Sequence, residues 1–565
     1  MRLVTVEQMK ALERRADAAG HDYATMMERA GHAVASVVRE RAPAGAAVLV
    51  LVGPGNNGGD GLVAARYLHG WGFRVSAYLW RRAASPSGED PNLDIVKELD
   101  IPLVRAGEDP NQAQLVEWVR QADVVIDALL GTGVAGELRG GLPEMLQAVR
   151  TAASERRRPE PAAVRAPAAP RPSAEGPLRP LVVAVDVPSG LDSDSGAIDE
   201  RALPADITVT LAYPKRGHYA FPGAGYVGEL LVADIGIDPA FAEDLPADVT
   251  VADAAHVAAL LPERPAASHK GTFGRALIVA GSTNYVGAAC LAAEAAYRAG
   301  AGLVTLAVPE AIHPIVAAKV TEPTFLVLPH DMGALVPDAL RVLMPRLGEY
   351  EALLVGPGLG RDPKTRDLVT ELLARKARQR RAIGFMPGEA RREEGSLPLP
   401  PTVIDADALN LLSEIDRWWE GLQGPAILTP HPGEMARLST GRDSSPRLSP
   451  EEIQRDRIGV ARDAARRWGQ VVVLKGAYTV VAAPGGEVTV IPFANAALAT
   501  AGTGDVLAGA IVALLAQGLA PRDAAVCGAY LHGLAAEMWS RHTARAGMLA
   551  GDLLPLLPKA LEALR

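Results

Sequence analysis

Apolar positions recur along the chain in two alternating rhythms. Val6, Met9, Leu12, Met26, Met27, Ala30, Val34, Val37 and Val38 follow helical spacing behind Thr5, a plausible cap, and predict helix across residues 5–42. Residues 47–52 are an unbroken apolar run, as expected of a strand buried on both faces of a parallel sheet. This run empties into Gly53-Pro-Gly-Asn-Asn-Gly-Gly-Asp-Gly61, and residues 62–70 read as the helix that follows. Strands recur at 73–80, 122–130 and 181–190, the second opening into Gly131-Thr-Gly-Val-Ala-Gly136. Alternating strands and helices predict a doubly wound parallel sheet with its ligand at the carboxyl ends of the strands.

The rhythm restarts after residues 239–253, which read as a link between domains at 1–240 and 250–565. Strands are expected at 275–280, 303–308, 352–355 and 402–410, with a helix of small residues at 288–300. Glycine turns follow two of these strands, at Gly281-Ser-Thr-Asn-Tyr-Val-Gly287 and Gly356-Pro-Gly-Leu-Gly360. Further on come Ala426-Ile-Leu-Thr-Pro-His-Pro-Gly-Glu-Met-Ala-Arg437 and Val471-Val-Val-Leu-Lys-Gly-Ala-Tyr-Thr479. A last loop, Asn495-Ala-Ala-Leu-Ala-Thr-Ala-Gly-Thr-Gly-Asp505, opens a buried helix carrying Val506, Leu507, Ile511, Val512, Leu514 and Leu515. Two stretches break the pattern. Residues 154–180 are rich in Pro, Ala and Arg and predict a disordered surface insertion; residues 376–400 form a second, Arg/Pro/Gly-rich insertion.

Composition narrows the function classes. A formal charge of −9 without a long basic face argues against a nucleic-acid partner. The two cysteines, Cys290 and Cys527, fit helix cores better than a disulfide framework. With no apolar stretch long enough to span a bilayer, a soluble cytoplasmic protein is expected, with no membrane partner.

The chemistry-bearing residues gather at strand ends. Asp127, Asp186 and Ser189 fall there, where a buried carboxylate costs solvation unless something binds it. Asn57, Asp127 and Ser189 offer only hard oxygens, suiting an alkali or alkaline-earth ion, although hydrogen bonding to loop amides would account for Asp127 equally well. In the second half, Gly502 and Gly504 would bring backbone amides close to an anion at a helix start. Asp505 beside that anion makes sense as a base for an attacking hydroxyl; as a simple helix cap it needs no chemistry. His431 is stiffened between two prolines, and Lys475 could face phosphate or solvent.

Taken together, Asn-Asn-Gly-Gly-Asp, Asp-Ala-Leu-Leu-Gly-Thr-Gly and Asp-Val-Pro-Ser-Gly resemble the epimerase domain of the bifunctional NAD(P)H-hydrate repair enzymes, from the first helix to Asp234-Ile-Gly-Ile237. From about His269 onward, Lys-Gly-Thr-Phe-Gly, Gly-Pro-Gly-Leu-Gly, Asp-Ala-Asp-Ala-Leu-Asn, Thr-Pro-His-Pro-Gly-Glu, Leu-Lys-Gly and the Gly-Thr-Gly-Asp loop resemble the ADP/ATP-dependent dehydratase of the same family. The resemblance implies an α/β chain: a Rossmann-like three-layer domain, then a ribokinase-like α/β domain. It implies that Asn56, Asn57, Gly58, Gly59 and Asp60 hold hydrated NADH or NADPH together with Gly131, Thr132, Gly133, Val134, Ala135, Gly136 and Glu137. Asp186 would contact the hydrated ring as acid or base, and Asn57, Asp127 and Ser189 would bind K+. In the second domain Ala288, Gly358, His431, Pro432, Gly433, Glu434, Met435, Ala436, Arg437 and Asp505 would hold the hydrate, with Asp505 catalytic. ADP, with Mg2+, would lie on Lys475, Gly476, Ala477, Tyr478 and Thr479 and on Asn495, Leu498, Ala499, Thr500, Ala501, Gly502, Thr503 and Gly504. The implied reactions are epimerisation of the hydrate and its ADP-dependent dehydration to NAD(P)H, AMP and phosphate, in a homo-oligomer. Two rivals stand beside this: a small-molecule kinase for the second half, and a binding module without turnover for the first.

Overall fold

In a computed structural model, which describes residues 1–82, 90–133, 138–155, 179–245, 248–373, 399–439, 448–543 and 546–565, the first apolar stretch forms two helices instead of one. Thr5 and Gln8 cap each other's backbone at the start of α1 (Val6–Ala18). The helix stops before Gly20, whose φ of 93° no other residue adopts cheaply, and Asp22 caps α2 (Tyr23–Arg41). Nearly all of the first insertion, most of the second, and Val134, Ala135, Gly136 and Glu137 lie outside the described residues.

The described chain divides into two compact units, Arg2–Ala247 and Asp248–Arg565, the latter including Met1. In the first, β1 (Ala47–Val52), α3 (Asn56–Gly70), β2 (Arg74–Leu79), α4 (Pro91–Glu98), β3 (Leu103–Arg105), α5 (Ala113–Gln121), β4 (Val124–Ala128), α6 (Leu142–Ser154), β5 (Leu181–Val185), β6 (Ile207–Leu211) and β7 (Glu229–Ala233) build a seven-stranded sheet in the order β3-β2-β1-β4-β5-β6-β7. Every pairing is parallel. Separate apolar cores cover its two faces, giving a Rossmann-like three-layer architecture. Strand order reverses between β1 and β4, which opens a crevice at their carboxyl ends.

The loop expected at 53–61 is mostly helix. α3 already starts at Asn56, so Gly58, Gly59 and Gly61 sit inside it. Their role is close approach: a Cβ at Gly58 would lie 2.1 Å from the Gly53 carbonyl oxygen, and one at Gly61 would lie 2.5 Å from the Ala128 Cβ. The helix is thereby pressed against β1 and β4, and its first turn is driven into the crevice.

The second unit opens with β8 (Val249–Val251), within the stretch read as link, and α7 (Ala254–Leu260), which follows it. β9 (Arg275–Val279), α8 (Val286–Arg298), β10 (Leu303–Pro309), α9 (His313–Lys319), β11 (Thr324–Leu328) and a small hairpin of β12 (His330–Asp331) and β13 (Ala334–Leu335) follow. Next come α10 (Leu340–Leu343), β14 (Ala352–Val355), α11 (Pro363–Leu373), β15 (Thr402–Ile404), α12 (Asp407–Leu412), β16 (Ala426–Leu428), α13 (Pro432–Leu438), α14 (Pro450–Arg455) and α15 (Arg457–Trp468). β17 (Val471–Leu474), β18 (Val480–Ala482), β19 (Val488–Val490), α16 (Thr503–Ala516) and α17 (Pro521–His542) complete the main frame. The ten-stranded sheet runs β11-β10-β9-β14-β15-β16-β17-β18-β19-β8, parallel from β11 to β17 and antiparallel at β17–β18–β19: the ribokinase-like half of an α/β chain. The strand expected at 402–410 ends at Ile404, because Asp405 and Asp407 leave the sheet and α12 begins.

α16 is the centre of this unit. From Val506 to Ala516 every residue is buried, against α8 on one side and α17 on the other. Small residues make that possible, since a Cβ on Gly509 would meet the Ala292 carbonyl oxygen of α8 at 2.2 Å. Among the described residues no helix is long and apolar enough to cross a membrane.

The contact at Gly509 predicts that Gly509→Ala destabilises the second unit by about 1–3 kcal/mol through overpacking against backbone that cannot yield. Calorimetry should show one unfolding transition lowered and that of the first unit unmoved.

Candidate active sites

In the first unit a cavity of about 340 Å³ lies at the strand-order reversal. Its polar lining comes from α1 (Lys10, Glu13), from the start of α3 (Asn56, Asn57, Asp60), from the turn after β4 (Gly131, Thr132, Gly133) and from Asp186 after β5. Met26, Met27, Leu129, Leu211 and Ile235 supply the apolar wall. The structure thus gathers Asn56, Asn57, Asp60, Gly131 to Gly133 and Asp186 in one place, and sets Gly58 and Gly59 behind them in α3.

Asp186 has φ of 63°, an uncommon backbone for a non-glycine residue. Its amide donates to the Val209 carbonyl at 2.8 Å, and its carbonyl accepts from His218 Nε2 at 3.1 Å. His218 Nδ1 accepts from the Lys215 amide, which fixes Nε2 as the protonated nitrogen. Burial, and then the charge of Lys215, press the His218 pKa down to about 3, so the imidazole is neutral. The Asp186 carboxylate accepts from Lys215 Nζ, from the Thr210 hydroxyl and from the Leu211 amide, the latter two at 3.1 Å. Burial pushes its pKa up, but the charge and hydrogen bond of Lys215 outweigh burial and hold the carboxyl below its ordinary value. Asp186 is therefore anionic at rest, suited to accept a proton as a base or to serve as a counter-charge.

Lys215, with none of its surface exposed, is the partner that the sequence did not reveal. Its one signal was a lysine in Tyr213-Pro-Lys-Arg-Gly-His218, next to an apolar strand. Glu13 and Lys10 were missed too, because α1 carries no motif. Asp60, also facing the cavity, is pushed well above the ordinary carboxyl range by burial and then by Asp186 and Glu13, with Arg82 opposing.

Beside the cavity, Asp127 is fully buried and its partners are neutral: the Ser189 hydroxyl at 2.6 Å, the Ser189 amide at 2.9 Å and the Leu129 amide at 3.3 Å. Ser189 Oγ in turn accepts from the Leu130 amide at 2.9 Å. The Asn57 amide lies against two backbone carbonyls, those of Leu130 at 2.9 Å and Val185 at 3.0 Å. If that amide turns over, its oxygen joins the two carbonyls. One carboxylate among neutral oxygens is a donor set that fits a hard cation of low charge.

In the second unit four charged side chains meet at the carboxyl ends of β15 and β17. Lys475 Nζ lies 2.7 Å from Asp405 Oδ1 and 3.8 Å from Glu434 Oε2. Burial works against the Lys475 charge, but Asp405 and Glu434 outweigh it and keep its pKa above the ordinary value. Asp405 Oδ1 also accepts from the Thr429 hydroxyl at 2.6 Å, while Oδ2 is buried without a hydrogen-bond partner. Asp505 stands in the first turn of α16, behind Gly502 with its φ of 91°. Burial, and then Asp405, push the Asp505 pKa up to about 7, against the pull of Lys475. A Cβ at Gly504 would lie 3.5 Å from Lys475 Nζ, so the ammonium and the free amides of this helix start share one space.

The remaining expected residues fall around this cluster or take structural roles. Ser282 Oγ donates to the Gly358 carbonyl, and a Cβ on Gly358 would touch Ala288, so the turns after β9 and β14 meet there. His431 caps α13: Nδ1 accepts from the Gly433 amide at 3.0 Å and the Glu434 amide at 3.4 Å, and burial lowers its pKa to about 4. Pro432, Met435 and Ala436 belong to that helix, and Arg437 Nε donates to Asn410 Oδ1 at 2.8 Å. The turn carrying Gly476, Ala477, Tyr478 and Thr479 runs beside the segment that leads into the last loop, since the Tyr478 amide donates to the Phe493 carbonyl and the Ile491 amide to that of Thr479. Asn495 is held by Glu537 and Ser540. Thr503 Oγ1 donates to the Leu498 and Thr500 carbonyls, which ties Leu498, Ala499, Thr500 and Ala501 to the helix start.

Comparison with known proteins finds relatives of both units. Residues 23–217 match the family model described as YjeF-related protein N-terminus. Residues 276–379 and 391–559 match that described as NAD(P)H-hydrate dehydratase. A "Bifunctional NAD(P)H-hydrate repair enzyme Nnr" of Moorella thermoacetica is 40% identical over all of this chain and 97% of its own length. One from Thermofilum pendens is 34% identical over the same shares, and one from Escherichia coli 33% identical over 97% of this chain and 91% of its own. The solved ADP/ATP-dependent NAD(P)H-hydrate dehydratase from Bacillus subtilis, co-crystallised with ATP/Mg2+, aligns with 56% of this chain and 99% of its own at 31% identity and TM-score 0.45.

The buried pair makes a sharp prediction. Lys215→Met should destabilise the first unit by about 3–5 kcal/mol, because a buried anion loses its counter-charge. Adding Asp186→Asn in the same chain should recover most of that loss, as Asn tolerates the left-handed backbone. Urea unfolding of the single and double variants measures both; a double variant no more stable than Lys215→Met would mean the ion pair is not the source.

Proposed function

The chain belongs to the bifunctional NAD(P)H-hydrate repair enzymes, and on that footing we propose how its two sites divide the work. The protein is an NAD(P)H-hydrate epimerase and an ADP-dependent NAD(P)H-hydrate dehydratase: it interconverts (R)- and (S)-NAD(P)HX and dehydrates the (S) form to NAD(P)H, giving AMP and phosphate. The first cavity is the epimerase site and the Asp405–Lys475–Asp505 cluster is the dehydratase site. The observation that carries the second assignment is a carboxyl with a pKa of about 7 in the first turn of a phosphate-ready helix.

Dehydration removes the C6 hydroxyl of the hydrated ring, and hydroxide is a poor leaving group. Asp505 takes the proton from that hydroxyl as its oxygen attacks the terminal phosphoryl group of ADP. Lys475 and the amides at the start of α16 face the charge that develops on the transferring group. Phosphate then departs, pushed out by the lone pair of the ring nitrogen, and loss of a C5 proton restores the dihydropyridine. Magnesium accompanying ADP would neutralise phosphate charge, and the unpartnered buried oxygen of Asp405 is available to the cation or its waters. Gly476, Ala477, Tyr478 and Thr479, with the loop from Asn495 to Gly504, form the nucleotide wall.

In the epimerase site, Asp186 contacts the hydrated ring as the base, held anionic by Lys215. Asn57, Asp127 and Ser189 hold potassium; bound there, the ion supplies a fixed positive charge beside an otherwise uncompensated carboxylate. Asn56, Asp60 and Gly131 to Gly133 line the space for the dinucleotide.

Asp505→Asn should abolish dehydration and keep nucleotide binding, and in the unmodified enzyme kcat/KM for dehydration should fall tenfold per pH unit below about 7, as the base becomes protonated. Near-normal turnover by Asp505→Asn, or a flat profile between pH 5 and 8, would remove Asp505 from this role. Asp127→Ala should end both potassium-dependent epimerisation and the rise in melting temperature of the first unit on adding KCl in place of an equal concentration of choline chloride. With mixed epimers and excess ADP, this variant should convert about half the hydrate quickly and the rest only at the spontaneous rate.

A further inference from the structure

Three carboxyl groups face the epimerase cavity from three different elements: Glu13 from α1, Asp60 from α3 and Asp186 from the end of β5. Asp186 is committed to Lys215, with Thr210 and the Leu211 amide around it. An epimerisation at C6 needs a second group, because one partner must give a proton while the other takes one. Glu13 is positioned for that part. On α1, Met9, Leu12 and Ala16 are buried, while Lys10 and Glu13, three residues apart, line the cavity. Glu13 is half-buried and can refill its proton from cavity water, whereas Asp60 is only 5% exposed.

The charged groups around Glu13 favour the same assignment. Burial, and then the Asp186 anion, push its carboxyl above the ordinary value; Lys215, Lys10 and Arg14 pull against them. A carboxyl held anionic beside one held toward the neutral form is the arrangement that separates a base from an acid; Asp60 is pushed up as well, so it is the greater openness of Glu13 that selects it.

We propose that Glu13 is the proton donor of the epimerisation, opposite Asp186 as the base, so that the C6 hydroxyl leaves as water and returns on the other face of the ring. The inference rests on the reading of this cavity as the epimerase site. Glu13 gives its proton to the departing oxygen as the C6–O bond breaks, and the lone pair of the ring nitrogen forms a C6–N1 iminium. Water then adds to C6 from the opposite face and Asp186 takes the proton it sheds. One water leaves and one enters, and a proton has passed from Glu13 to Asp186. Exchange with cavity water resets the pair, and in the reverse direction the two residues exchange roles.

The test follows interconversion of the separated (R) and (S) hydrates by chromatography without ADP, in the full-length chain. Glu13→Gln should slow the enzymatic part at least about 100-fold, the usual loss when a general acid is removed, with an unchanged melting temperature. Glu13→Asp should recover part of the rate, and dehydration of the (S) hydrate should be unaffected in both. In 18O-water, the wild-type enzyme should place one labelled oxygen at C6 per inversion. A Glu13→Gln enzyme within threefold of wild type, while Asp186→Ala is inactive, overturns the role of Glu13 and leaves the cavity reading standing. Inversion without label overturns departure of the oxygen, whatever the variants do. An active Asp186→Ala enzyme would instead sink the reading of the cavity itself.

Discussion

Burying a carboxylate at the end of a parallel strand is expensive, and this chain does it three times at its sites, with Asp127, Asp186 and Asp405. Each is compensated differently. Asp127 is held by neutral hydrogen bonds from Ser189 and from the Leu129 amide. Asp186 has a lysine with no exposed surface. Asp405 shares a lysine with Glu434 and keeps one oxygen unpaired. The local chemistry follows from those anions: Asp186 raises the carboxyl groups of Glu13 and Asp60, and Asp405 raises that of Asp505. At Asp505 burial acts first, and the field of Asp405 adds to it.

The positions of these groups depend on how closely helices approach the sheets. α3 is drawn against β1 and β4 at its glycines, which carries Asn57 and Asp60 into the crevice. α16 is pressed onto α8 at Gly509, which fixes where its first turn, and hence Asp505, emerges. His532 holds the same turn from α17, its ring 2.9 Å from the Thr503 carbonyl, and burial keeps that ring neutral, down to a pKa of about 4. In both units a site residue owes its place to a packing contact several residues away in sequence.

Much of this was legible in the sequence because strands buried on both faces have a one-dimensional signature. The runs at 47–52 and 352–355 read as strands and are strands. The glycine-rich stretches at 53–61, 131–136 and 502–504 marked the neighbourhoods of Asn57, Asp127 and Asp505. Continuity was harder to see: apolar spacing runs through residues 5–42, and only the left-handed backbone at Gly20 and the cap at Asp22 divide the helix. The glycines at 58, 59 and 61 suggested a loop because their use, close contact with Gly53, Met27 and Ala128 respectively, lies in tertiary structure. Lys215 and Glu13 were invisible for a related reason. A charged residue acquires a cavity or a buried partner only through the fold, and neither residue lies in a motif.

The ten-stranded sheet does not begin where the family likeness does. The dehydratase match starts at residue 276, whereas β8, at Val249–Val251, already forms the outermost strand and pairs with β19. A fragment trimmed to the matched residues would leave one flank of β19 with unsatisfied amides and carbonyls, a template for joining another molecule's strand. Severing the two activities into separate polypeptides therefore favours a break before Asp248, with the stretch once read as a tether travelling with the dehydratase. By the same token, a protease able to cut between residues 252 and 275 would detach that strand from the chain it protects, and would harm the second enzyme more than the first.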